Sequence, residues 1–208
     1  MKKNPLVTRI SEEQILPAGE TLVQAFFEDP LCIYTASDPE QRKRIFSWYF
    51  TQFVREESSV NAVYIAGDQP DGVAIWMPPH MGEAASEPTE RNMPDEIEKR
   101  FGQDAYQRFT TAFSYFEAIH HQVIRGPHWY LELLGVAPHC QGQGIGKALL
   151  APVLQKADEE ALPCYLETFT ARNVPFYTYS GFQAVEVGIE PSSQLSFWAM
   201  RREPQKVY

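Results

Sequence analysis

The feature that most narrows the folds open to this 208-residue chain lies between His128 and Phe169. Trp129 to Val136, WYLELLGV, reads as a strand, Gly144 to Ala161 as a helix and Cys164 to Phe169 as a second strand. A helix of that length between two strands returns the chain so that the second strand lies parallel to the first. This β-α-β unit makes the chain α/β. Pro152 lies inside the helix and removes one hydrogen bond, so a bend is expected there.

The strand and helix are joined by HCQGQGIGKALL, residues 139 to 150. Gly142, Gly144 and Gly146 alternate with other residues just before an apolar run. The first amides of a helix lack internal partners and carry partial positive charge, so a glycine loop feeding a helix points to phosphate. Two familiar phosphate loops are excluded by spacing. A P-loop needs Gly where Gln141 stands and Ser or Thr where Ala148 stands, so Lys147 has no P-loop role. The dinucleotide pattern G-x-G-x-x-G fails because the spacing is G-x-G-x-G. What remains is Gln141-x-x-Gly144-x-Gly146 after a strand ending in Leu134-Gly135-Val136.

Upstream, Leu6 to Ile10 fits a short strand and Ser11 to Phe27 a helix with Ser11 as N-cap. Asp38 to Arg55 fits a second helix whose Ile45, Trp48, Tyr49, Phe50 and Phe53 form an apolar face suited to core packing. Ala62 to Ala66 and Gly72 to Met77 read as a hairpin around Gly67 to Gly72. Met77 to Pro94 is rich in Pro and acidic residues and reads as a long loop, over a site or between domains. Asp95 to Arg125 reads as helix, Val174 to Ser180 as a short helix, and Gln183 to Val187 and Leu195 to Arg201 as closing strands.

Composition removes several classes. A content of 44% hydrophobic and 13% aromatic residues is that of a chain with a core. No apolar run approaches the eighteen or so residues of a membrane span, and the start of the chain lacks a signal-peptide core. A net charge of −9 argues against a nucleic-acid groove and suits a cationic substrate. Cys32, Cys140 and Cys164 are far apart and odd in number, which fits a reducing cytoplasm. The five histidines show no metal-ligand spacing with them, so no metal is expected.

Gln141-x-x-Gly144-x-Gly146 after its strand resembles the acetyl-CoA loop of the GNAT N-acetyltransferase superfamily. RNVPFYTYSGF, residues 172 to 182, resembles that family's C-terminal signature, an Asn followed by a Tyr four residues before Gly-Phe. A narrower similarity spans nearly the whole chain. DGVAIWMPP, WYLELLGVAP and YLETFTARNVPFY, with QAFFEDPLCIY and DPEQRKR, resemble puromycin N-acetyltransferase-like members. The resemblance implies one domain over residues 1–208, with a loop and helix inserted at about 78–125. It implies a mixed central sheet of about 6–7 strands, splayed at the acetyl-CoA site and flanked by helices, in a monomer or homodimer.

It also implies roles. The backbone of Gln141, Gly142, Gln143, Gly144, Ile145, Gly146 and Lys147 would cradle the CoA pyrophosphate. Leu134, Gly135 and Val136 would pair with the pantetheine arm, one amide polarising the thioester carbonyl. Asn173 would meet the cofactor from the other side, and Tyr177 would be the general acid, with Tyr179 the weaker candidate. An alkyl ammonium must lose a proton before it attacks. Glu132, a carboxylate interrupting an apolar strand, is the candidate to receive it, and Glu167 on the neighbouring strand its competitor. Trp76, Met77 and Glu167 would border the acceptor, with the aromatics of the helix after residue 95 as a second wall or as core. His120, His121 and His128 lie outside the motifs, and the cysteines are not placed as nucleophiles, so direct transfer in a ternary complex is expected. Acetyl-CoA and a small amine would be the substrates. A non-catalytic acyl-CoA-binding or sensor domain and a protein N-acetyltransferase are the alternatives.

Overall fold

The computed structural model describes residues 5–79 and 93–205, so most of the Pro-rich stretch lies outside the described residues. Seven strands form one sheet in the order β1-β2-β3-β4-β5-β7-β6. They are β1 (Val7–Arg9), β2 (Ala62–Ala66), β3 (Gly72–Met77), β4 (Trp129–Val136), β5 (Cys164–Thr168), β6 (Gln183–Ile189) and β7 (Ser196–Arg202). Every pairing is antiparallel except β4 with β5, which the β-α-β unit makes parallel.

Helices cover both faces. A 3-10 turn at Glu12–Gln14, where Gln14 Oε1 accepts from the Ser11 N–H, opens into α1 (Ile15–Phe26). Asp29 and Asp38 are the N-caps of α2 (Pro30–Thr35) and α3 (Pro39–Val60), accepting from the amides of Leu31 and Gln41 at 2.9 and 2.7 Å. The helix α2 has no counterpart in the sequence reading. Where one helix is expected after residue 95 there are two, α4 (Met93–Phe101) and α5 (Gln103–Val123). Gly102 separates them at φ +78°, a conformation that ends a right-handed helix.

Period-2 alternation decides which core each strand side chain enters. Val63, Ile65, Val73 and Ile75 join α1 and α3, where Phe46, Tyr49, Phe50 and Phe53 are buried. Each such ring contributes about 1.5–3 kcal/mol by leaving water. The opposite face packs on α6 (Ile145–Glu159), which runs on through Pro152, and on α7 (Val174–Tyr179). Trp76 belongs to that second core. It has no exposed surface and packs with Trp129, Leu131 and Leu149, so it does not border an open acceptor pocket.

Candidate active site

The site begins where the parallel pair fails. Strands β4 and β5 match only at Trp129–Cys164 and Tyr130–Tyr165, yet β4 continues on β3 to Val136 and β5 on β7 to Thr168. The two strands therefore part above Tyr130, leaving Leu134–Val136 without a strand partner on the β5 side. The register of β4 on β3 passes from Leu133–Ile75 to Leu131–Trp76, so Glu132 is an inserted bulge residue. A bulge re-aims side chains. Leu131 packs towards α6, whereas Leu133, two residues on, packs into the α1–α3 core.

The α6 end of the cleft is the glycine loop. Gly142 and Gly144 sit at φ +71° and +86°, and a Cβ on either would meet nothing within 4 Å. Backbone conformation requires glycine there, and open space lies above it. Gly146 is different, because its Cβ would come 3.1 Å from the Phe176 ring, so it lets α6 approach α7. The first bond of the helix runs from the Ala148 amide to Gly144 O at 3.0 Å. The amides of Ile145, Gly146 and Lys147 thus precede the helical ladder and present its positive end. Gln141 Nε2 donates to Val136 O at 3.2 Å, tying the loop to the end of β4. These residues fit a pyrophosphate.

Tyr177 lies on α7 with 7% of its surface exposed, its ring packed between Phe176 and Phe182. Burial, and then the charge of Asp29, push its phenol well above the usual range, so it stays a neutral acid. Tyr179 is 79% exposed, with the Lys147 ammonium 5.2 Å from its ring centroid. Asn173 Nδ2 donates to Thr168 Oγ1 at 3.2 Å, which anchors it at the end of β5.

The carboxylates gather on the α5 side. Burial raises Glu167 to about 7, and the approaching hydroxyls of Tyr165 and Tyr130 offset part of that rise. Tyr130 is raised in turn by burial, then by the charges of Glu167 and Glu132, so both carboxyls are near enough to act on it. His120 of α5 stacks on Tyr165 with centroids 4.4 Å apart. Burial and the neighbouring His128 and His121 hold His120 down at about 4, so it brings no positive charge to the cluster at neutral pH.

Asp29 is the residue that sequence reasoning missed. Its carboxyl caps α2, yet burial raises it to about 6, and it acts on Tyr177 and Arg172 across the cleft. Asp-Pro before a helix reads as a cap alone, and only folding brings it opposite α7. Beyond α2, Tyr34, Asp104, Gln107, Arg108, Thr111 and Ser192 line a cavity of about 320 Å³ between α2, α5 and the β6–β7 turn. Below it, Phe116 of α5 packs on Phe169, just past β5. Burial raises the thiol of Cys164 to about 12 and that of Cys32 well above its usual range, so neither is a thiolate nucleophile.

A model of the acetyltransferase (GNAT) family matches residues 23–182. An uncharacterized N-acetyltransferase of Schizosaccharomyces pombe is 29% identical over 180 residues, covering 84% of this chain and 72% of the relative. Among solved structures, a histone acetyltransferase HPA2 and related acetyltransferase from Corynebacterium glutamicum superposes with a TM-score of 0.72 at 20% identity, over 99% of both chains. Arylalkylamine N-acetyltransferase 2 from Aedes aegypti superposes at 0.66 and 15% identity, over 98% of this chain and 100% of that one.

Proposed function

Because the chain belongs to the GNAT acetyltransferase family, whose co-substrate is acetyl-CoA, we propose that it acetylates the primary amine of a small molecule by direct attack in a ternary complex. The observation that carries this reading is the parting of β4 from β5 beyond Tyr130, beside a glycine loop that presents the free amides at the start of α6. When bound, the thioester supplies an electrophilic acetyl carbon and a sulfur leaving group.

The amides of Ile145, Gly146 and Lys147, with the Gln141–Gly144 backbone, hold the pyrophosphate. The free side of Leu134, Gly135 and Val136 takes the pantetheine amides, and Asn173 closes on the cofactor from β5. Asp29, Glu132 and Glu167 draw an ammonium inward, and Glu167 takes its proton. Tyr177 donates a proton to the departing sulfur, the nitrogen sheds its second proton to solvent as the amide forms, and Tyr177 is reprotonated from solvent. The cavity beside α5 receives the outer part of the acceptor. The choice of a small acceptor rests on the resemblance of the sequence to puromycin N-acetyltransferase-like members.

Thiol release from acetyl-CoA, measured across a panel of arylalkylamines, polyamines, aminonucleosides and peptides, tests this reading. A small amine is expected to exceed every peptide in kcat/KM by at least ~10-fold, about 1.4 kcal/mol of transition-state binding. Preference for a peptide N-terminus or lysine would replace the small-molecule reading with protein acetylation.

A further inference from the structure

At the shoulder of the cofactor loop, Asp71, His139 and Cys140 bring a carboxylate oxygen, an imidazole nitrogen and a thiol sulfur within 4.8 Å of one another. We propose that this cluster binds a thiophilic divalent metal ion of the zinc class. The donor set selects the metal. Calcium and magnesium take oxygen ligands, whereas mixed sulfur, nitrogen and carboxylate donors suit Zn²⁺, with water in the fourth position.

The frame for two of the donors is already in place. The Asp71 carbonyl accepts from the Ala137 amide at 2.9 Å, and the Cys140 amide donates to the Ala137 carbonyl at 2.8 Å. One residue thus anchors the backbone of both ligands, and Pro138 stiffens the 3-10 turn Pro138–Cys140 between them. Zinc-to-ligand lengths of about 2.0–2.3 Å put tetrahedral donors roughly 3.4–3.8 Å apart, so the cluster must contract by about 1 Å. His139 is exposed, while Asp71 and Cys140 are half-buried. On binding, the sulfur–metal bond replaces the S–H bond and the proton leaves to solvent. The ion would cross-link the β2–β3 turn to the segment that leads into the cofactor loop. Histidine and cysteine are neighbours in sequence, but their third partner lies on a distant hairpin, so no spacing rule displays the set.

The test titrates the reduced full chain with Co²⁺ alone and follows thiolate-to-cobalt charge-transfer absorption. The expected result is a band saturating at about one ion per chain, abolished in Cys140→Ser and weakened at least ~10-fold in Asp71→Asn and His139→Ala. Cys32 and Cys164 are buried and give no such band. A second measurement needs no variant: Zn²⁺, but not Mg²⁺, should slow alkylation of Cys140 in the wild-type protein ~10-fold or more. No charge-transfer band at tens of micromolar Co²⁺, a band that survives in folded Cys140→Ser, or alkylation indifferent to Zn²⁺ would overturn the proposal.

Discussion

With its carboxyl raised to about 7 by burial, Glu167 is half ionised near neutral pH and able to accept a proton there. The sign of its effect on rate follows directly. Above pH 7 it is a carboxylate and active, and below it holds a proton and cannot accept another. The value of kcat/KM for an amine is therefore expected to fall as pH drops through about 7. Glu167→Gln should remove that limb and cost ~10²–10⁴ in rate, while Glu132→Gln keeps the limb with a smaller loss. If Glu132→Gln abolishes the limb and Glu167→Gln preserves it, the two roles are exchanged. Tyr177→Phe keeps the packed ring and removes the acid, so turnover should drop ~10²–10⁴ with an almost unchanged acetyl-CoA dissociation constant. Tyr179→Phe, on an exposed ring, should change little. The reverse pattern in these two variants would mean that the motif is offset by two residues. Sequence named both glutamates and Tyr177, but ranked Glu132 first. The titration of Glu167 comes from its burial, offset in part by the hydroxyls of Tyr165 and Tyr130, and that environment exists only after folding.

Elements were more legible than environments. Hydrophobic runs bounded by turn residues placed β2, β3 and β4 with the observed limits, because each strand side chain has one face to choose. The bulge at Glu132 was not legible, since it depends on the register of β4 against β3. Nor was Trp76 placed correctly. An aromatic residue on a strand suits core or pocket equally in sequence, and here α6 covers it. The glycine loop carries its own test. Aspartate at Gly144 would meet no protein atom, since a Cβ there is in open space, but it would strain a +86° φ and set an anion before the free amides of α6. Gly144→Asp should stay folded and weaken acetyl-CoA binding by about 2 kcal/mol or more, roughly 30-fold, from strain and repulsion. Calorimetric titration giving unchanged affinity in the folded variant would remove the pyrophosphate from this loop.

At the scale of the whole molecule, catalysis depends on a sheet that is continuous at its base and open at its top. Only two residue pairs join β4 to β5, while β3 and β7 keep each strand in place from outside. In the proposed reading the cofactor side is built from β4 and α6, and the acceptor side from α2, α5 and the β6–β7 turn. The order of strands and helices was enough to foresee the parallel β4–β5 pair, and the resemblance of the motifs to the GNAT family supplied the mixed sheet. The docking of α2, which brings Asp29 opposite Tyr177, arises from contacts remote in sequence. The proposed direct transfer requires both substrates in the cleft at once, with no acetyl group held on the protein between them. Initial rates measured over a grid of acetyl-CoA and amine concentrations test this most directly. The double-reciprocal lines should intersect, and no acetyl group should remain on the protein when acetyl-CoA is supplied without amine. Parallel lines, together with a stoichiometric acetyl adduct that an added amine then removes, would show a covalent relay and contradict direct transfer.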